Sequence, residues 1–217
     1  MSFDKFVSLI KNGLYFCRLD LFNDPFEGSF AYGNQKIREG VDPDSTSFEK
    51  FKHFSREVRK LIFVNCWHMN DYENYAMWKI YSYQNKSISI RTSIKRLKES
   101  IEDRSVIISE VKYIDYRKEM IPEDNMLYIF LYKRNFFKFE NELRLWFQDN
   151  PDSVSNGIVE ISKKNEFVKI NLETLIEEIY ISPNADISFY NKVKKELDKI
   201  NLNKPIIQSS LDDKPLY

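Results

Sequence analysis

The sequence predicts an α+β fold built on a curved or split mixed β-sheet with flanking helices. Three observations carry this. Helical and strand-like stretches interleave through the first 140 residues, whereas strand-like stretches cluster after that. Neither an internal repeat nor a low-complexity linker interrupts the chain. The length of 217 residues suits one domain over 1–217, with 17 Phe and 13 Tyr to fill its core.

Each element follows from its periodicity. Phe3, Phe6, Val7 and Ile10 recur at helical spacing, and Gly13 stops the helix. Leu14 to Cys17 reads as a short strand, and 19–30 as a turn-rich loop through Asn23, Asp24, Pro25 and Gly28. A polar region runs from Gln35 to Thr46. A helix is expected over 47–60 through Phe48, Phe51, Phe54 and Val58, and a buried strand over 61–67. Residues 71–82 read as a helix that Asp71 caps. Residues 87–92 alternate as a strand, with Ile88 and Ile90 on one face. A short helix over 93–102, a strand over 105–114 and a helix over 122–137 entered through Pro122 follow. Strands are then expected at 142–148, 157–162, 166–170 and 178–182. A helix over 186–200 and a strand over 205–209 close the chain.

Composition narrows function. Acidic and basic residues number 33 each, so the whole chain exerts no general attraction on nucleic acid or anionic lipid. Charges at Asp4 and Lys5 interrupt the N-terminal apolar stretch, and no apolar run approaches a membrane span. The expectation is therefore a cytoplasmic protein without a membrane segment. Two cysteines, Cys17 and Cys66, are too few for a disulfide framework and read as buried small hydrophobes. Five glycines leave no Gly-rich phosphate cradle.

Three clusters can carry chemistry. The turn Phe22-Asn23-Asp24-Pro25-Phe26-Glu27-Gly28 places three polar side chains together, although Asn-Asp-Pro more often serves to cap backbone amides. Asn65-Cys66-Trp67-His68 precedes a helix on which Tyr75, Trp78 and Tyr81 share a face. That face is either core packing or a ring platform beside a polar cleft. Two histidines without a metal-type spacing leave no metal expected. Finally, Glu140, Glu142 and Arg144 alternate with Leu143, Leu145 and Phe147. In a strand the charged set shares one face and the apolar set the other. The charged set is either a solvated ion pair or a concentrated polar site.

The stretches LYFCRLDLFNDPFEG (14–28), NCWHMNDYENYAMWKIY (65–81), FFKFENELRLW (136–146) and IEEIYISPNAD (176–186) together resemble a bacterial family known as domain of unknown function 2971. More distantly, the order of these clusters is similar to ADP-ribosyltransferase-like toxins. That resemblance implies NAD as cofactor, Glu142 as the carboxylate that stabilises an oxocarbenium-like charge, Glu140 as its acceptor-side partner and Arg144 as an orienting group. It further implies Asn23, Asp24, Glu27, Trp67, Trp78 and Tyr81 around the ligand, and a role in toxicity or phage defence. No counterpart of the first-strand His or Arg of those enzymes is expected ahead of Phe3. The alternatives are a non-catalytic module that binds a nucleotide or a protein partner, and a nuclease that holds Mg²⁺ on Asp24, Glu27, Glu140 and Glu142.

Overall fold

A computed structural model describes residues 1–41, 47–82, 86–103 and 105–217. The fold is α+β, with mixed parallel and antiparallel sheets. By contacts the chain divides into two compact units, each assembled from separated segments. The first comprises the described parts of 1–14, 70–104 and 167–217, the second those of 15–69 and 105–166.

In the first unit, the strand Glu178–Ile181 pairs antiparallel with Ile88–Arg91 and parallel with Ile206–Gln208. Ile88, Ile90, Ile179 and Ile181 are buried, as their alternation requires. Helices Phe3–Asn12 and Ile187–Asp198 bury Phe6, Leu9, Phe189, Val193 and Leu197, and the Phe3 and Phe189 rings meet edge to face. Ser2 and Asp186 cap these helices by accepting hydrogen bonds from Lys5 N and Phe189 N. Gly13 follows the first helix at φ +98°, where a Cβ would come within 2.1 Å of Val168 O. Only glycine fits there.

The second unit carries most of a five-stranded sheet. Its order is Asn165–Val168, Leu14–Arg18, Ile62–His68, Glu142–Gln148 and Ile107–Glu110. Ile62–His68 and Glu142–Gln148 pair antiparallel over seven residues, with Cys66 opposite Arg144 and His68 opposite Glu142. On one face Phe63 stacks on Phe147 at 5.3 Å, with Phe16 beside Phe147 and Leu145 fully buried. On the other face lies a core of Leu19, Ile62, Val64, Ile129, Phe130 and Trp146. Glu142 through Phe147 are all buried, so this strand has no solvated face.

Several expectations are corrected. Residues 122–137 form no α-helix. They form 3-10 turns at Met126–Phe130 and Asn135–Glu140, with the strand Tyr132–Arg134 between them. The reason is tertiary. A 3-10 turn frees the Phe130 carbonyl, and the strand aims Lys133 inward, so both reach buried charges described below. The strand expected over 105–114 breaks at Val111, whose N–H bonds Glu142 O while Lys112 N turns to Leu131 O. Lys112–Ile114 then pairs with Tyr132–Arg134.

The polar stretch from Gln35 holds a helix, Tyr32–Val41, and residues 42–46 of it lie outside the described residues. Side-chain bonds hold that helix. Asn34 is fully buried and bonds both the N–H and C=O of Ile121, while Arg38 pairs with Glu123 and covers Phe51. The helix expected over 47–60 is Ser47–Val58 with a 3-10 turn after it; the side chain of Phe48 lies outside the described residues.

Candidate functional site

The turn 22–28 is built as its residues dictate. Asp24 Oδ1 accepts from Phe26 N at 3.1 Å, which is the local bond that Asp before Pro favours. Gly28 then takes φ +69°, with Arg59 packed over it so closely that a Cβ would lie 2.8 Å from Arg59 Cγ. This geometry turns Glu27 inward, where it is 2% exposed.

Glu27 meets a buried ion cluster. Arg144, fully buried, donates through Nη2 to Glu27 at 2.8 Å, through Nε to Glu142 at 2.6 Å and through Nη1 to Phe130 O at 2.6 Å. Lys133, 8% exposed, lies 3.1 Å from Glu27, 2.5 Å from Glu140 and 3.4 Å from Glu142. Five charged side chains from three separate segments thus meet in one place. Burial of this kind is costly and is tolerated only when every charge has a partner.

The protonation states follow from the geometry. Burial pushes the Glu142 carboxyl up, but the charge and hydrogen bonds of Arg144, with Lys133 behind them, outweigh it and hold Glu142 below the usual carboxylate range. Burial pulls Lys133 down, yet Glu27, Glu142 and Glu140 together hold it above its ordinary value. Arg144 is held charged in the same way, against its complete burial, by Glu142 and Glu27. Glu142, Lys133 and Arg144 are therefore ionised at neutral pH.

The remaining expected residues fall in different places. Glu140 is not on the strand, because Asn141 adopts a left-handed conformation at φ 38° and ends a 3-10 turn there. Its carboxylate nonetheless shares Lys133 with Glu142. Asp24 pairs with Arg134 Nη2 at 2.8 Å, one layer outside the cluster, and Asn23 is exposed on the same turn. Trp67 is half-buried and donates to Asn65 Oδ1 at 2.6 Å.

Trp78 and Tyr81 belong to the other unit. Their helix is Tyr75–Tyr81, capped by Asn74, whose Oδ1 accepts from Ala76 N and Met77 N, and not by Asp71. It buries none of its residues. Tyr75 and Tyr81 are exposed, and Trp78 is half-buried with its indole bonded to Glu73. A core stripe is thereby ruled out for the two tyrosines. The cysteines are free, Cys17 half-buried and Cys66 exposed, instead of buried. The cause is that burial along Ile62–His68 falls away after Val64.

Lys133 is the member of the ion cluster that the sequence reading missed. Its one signal is a charge directly after the apolar run Ile129-Phe130-Leu131-Tyr132. Arg134 and Arg59, which carry the outer layer, gave no such signal.

Among the described residues, no group of three His, Cys, Asp or Glu side chains is arranged to hold a metal ion, and no helix is long and apolar enough to cross a membrane. Comparison with models of known families, with curated proteins and with solved structures finds no match to this chain.

Proposed function

We propose that this chain is a non-catalytic binding module for a nucleotide-type ligand, with the Glu27–Lys133–Glu142–Arg144 cluster as the rigid support of its binding surface. The observation that carries this reading is the state of Glu142. It is 5% exposed, Arg144 engages Oε1 at 2.6 Å and Oε2 at 3.3 Å, and Lys133 stands 3.4 Å from Oε2. A carboxylate that stabilises charge on a leaving sugar must present an oxygen to it. Both oxygens of Glu142 are engaged by buried cations and the carboxylate is turned away from solvent, so the residues here do not fit NAD chemistry centred on it.

The cluster is well suited to support. It ties the turn 22–28 and the 3-10 turn Asn135–Glu140 to the central strand Glu142–Gln148. That 3-10 turn presents Phe136 and Phe139 to solvent, 79% and 45% exposed. Exposed rings on an anchored element are a stacking or docking surface.

One observation favours transferase chemistry instead. Glu140 and Glu142 converge on a single ammonium, and paired carboxylates frequently mark reactive sites. For that reading Glu142 must leave both of its cationic partners on binding.

Thermal shift against NAD, ATP, AMP and Mg²⁺ tests the proposal, alongside an assay for nicotinamide release. At 100 times its dissociation constant a ligand stabilises by about 2.7 kcal/mol. The expected result is stabilisation by at least one nucleotide with no nicotinamide released. Nicotinamide release by the wild-type chain overturns it in favour of the transferase.

A further inference from the structure

One end of the five-stranded sheet is unguarded. The strand Ile107–Glu110 pairs antiparallel with Glu142–Gln148 and, among the described residues, with no other strand. The two ladders on Glu142–Gln148 fix which way its neighbours' backbones point. Met69 N donates to Asn141 O and Asp149 N to Leu61 O, so the odd-numbered residues of this stretch bond toward Ile62–His68. Its even-numbered residues bond toward Ile107–Glu110, in step with Val111 N donating to Glu142 O. Ile107 and Ser109 therefore turn their backbone groups into the sheet. The N–H and C=O of Ile108 and Glu110 point outward along the edge.

An open edge pairs with other chains unless something blunts it. Charge blunts the opposite end of the sheet. The strand Asn165–Val168 there carries Glu166 and is bracketed by Lys163, Lys164 and Lys169. The run Ser105-Val106-Ile107-Ile108-Ser109 holds no charge, Gly or Pro. Within it Ile107 is 47% exposed, an apolar side chain left in water.

The same run is its own complement. Outward-facing residues must oppose outward-facing ones, so a second copy meets this edge antiparallel with even-numbered residues opposite even-numbered ones. About a two-fold axis at Ile107, Ser105 faces Ser109 of the second copy, Val106 faces Ile108 and Ile107 faces its own equivalent. Val106 and Ile108 then exchange both of their backbone hydrogen bonds, and the two Ile107 side chains leave water against each other. An axis at Ile108 or Ser109 instead sets Glu110 against Val106 or Ile108, and one at Val106 sets Ile107 against Ser105.

We propose that Ile107–Glu110 is a dimerisation edge, onto which a second copy of this chain adds the same strand antiparallel about Ile107 and continues the sheet. The paired run is short, so the dimer is weak and depends on concentration. This inference is independent of the ligand proposed above.

Sedimentation equilibrium of the whole chain, from about 1 μM to about 1 mM, tests it. The mass is expected to rise with concentration from 26.1 kDa toward twice that value. Ile107→Lys and Ile107→Glu change an exposed position, and melting curves check that both fold. Each alone is expected to stay at 26.1 kDa, because like charges meet on the axis. An equimolar mixture of the two is expected to recover the dimer, since Lys then faces Glu at that position. Ile108→Pro removes an outward N–H that the internal ladder does not use, and is expected to stay monomeric as well. A wild type that stays at 26.1 kDa throughout overturns the proposal and leaves the edge to a strand of another protein. Single variants that dimerise as the wild type does, or a mixture that remains monomeric, also overturn it.

Discussion

Replacing Arg144 by Met is the sharpest probe of the ion cluster. Methionine keeps most of the volume of the side chain and removes its charge. Arg144 is fully buried and donates to Glu142, Glu27 and the Phe130 carbonyl. Its loss leaves Glu27, at 2% exposure, and Glu142, at 5%, with Lys133 as their common cation. Removing one partner of a buried pair costs about 3–5 kcal/mol, because the surviving charge stays out of water. For a chain of this size that is a fall in melting temperature of roughly 6–20 °C. The control replaces the orphaned carboxylates as well, as Glu27→Met and Glu142→Leu added to Arg144→Met. Lys133 then keeps Glu140 as its partner, and an apolar substitute for a buried ion triad is near neutral, so this variant should regain most of the loss. Circular dichroism melts at pH 7 read both. A shift below about 2 °C for Arg144→Met, or a triple variant no better than the single one, refutes the reasoning.

Other outcomes follow from the same structure. The folded Glu142 carboxyl is held below its ordinary range, so its contribution is present above the unfolded value and is lost as pH falls through the folded one. Melting temperature should therefore fall steeply below about pH 4.3, and Glu142→Gln should flatten that slope. Asp186 is held down at about 2 by its bonds to Ser188 Oγ and Phe189 N and by Lys86. Asp186→Ala should lower stability at pH 7, and its difference from wild type should vanish as pH approaches 2. Leu145→Ala, at a fully buried position in the central strand, should cost about 2–5 kcal/mol by denaturant titration. Gly13→Ala forces a Cβ to within 2.1 Å of Val168 O at positive φ and should cost about 2 kcal/mol or more by the same measurement.

Much of the fold was legible because hydrophobic alternation and helical spacing report burial directly. Ile88 and Ile90 marked one strand, Leu143, Leu145 and Phe147 another, and Phe6 the inward face of the first helix, although its second buried residue, Leu9, was not read from the spacing. The site was legible in part for the same reason: charge among core residues marked Glu142 and Arg144. Where reading failed, a long-range partner decided the local shape. Residues 122–137 open on Pro122 and Glu123, which suit the start of a helix. The backbone instead serves Arg144 with the Phe130 carbonyl and places Lys133 among three carboxylates. Glu140 left the strand because Asn141 adopts a left-handed turn, which Asn tolerates but does not announce. The helix Tyr32–Val41 was hidden because Asn34 and Arg38, and not an apolar stripe, hold it.

The central claim is that Glu142 supports a binding surface and performs no chemistry. Glu142→Gln tests it most directly, because it keeps the shape and removes the charge. Wild type and variant are compared for melting temperature, for stabilisation by nucleotide and for nicotinamide release from NAD. The account predicts a lower melting temperature in the variant, nucleotide stabilisation of the same size in both, and nicotinamide release by neither. Nicotinamide release by the wild type that disappears in a variant of unchanged melting temperature would contradict it.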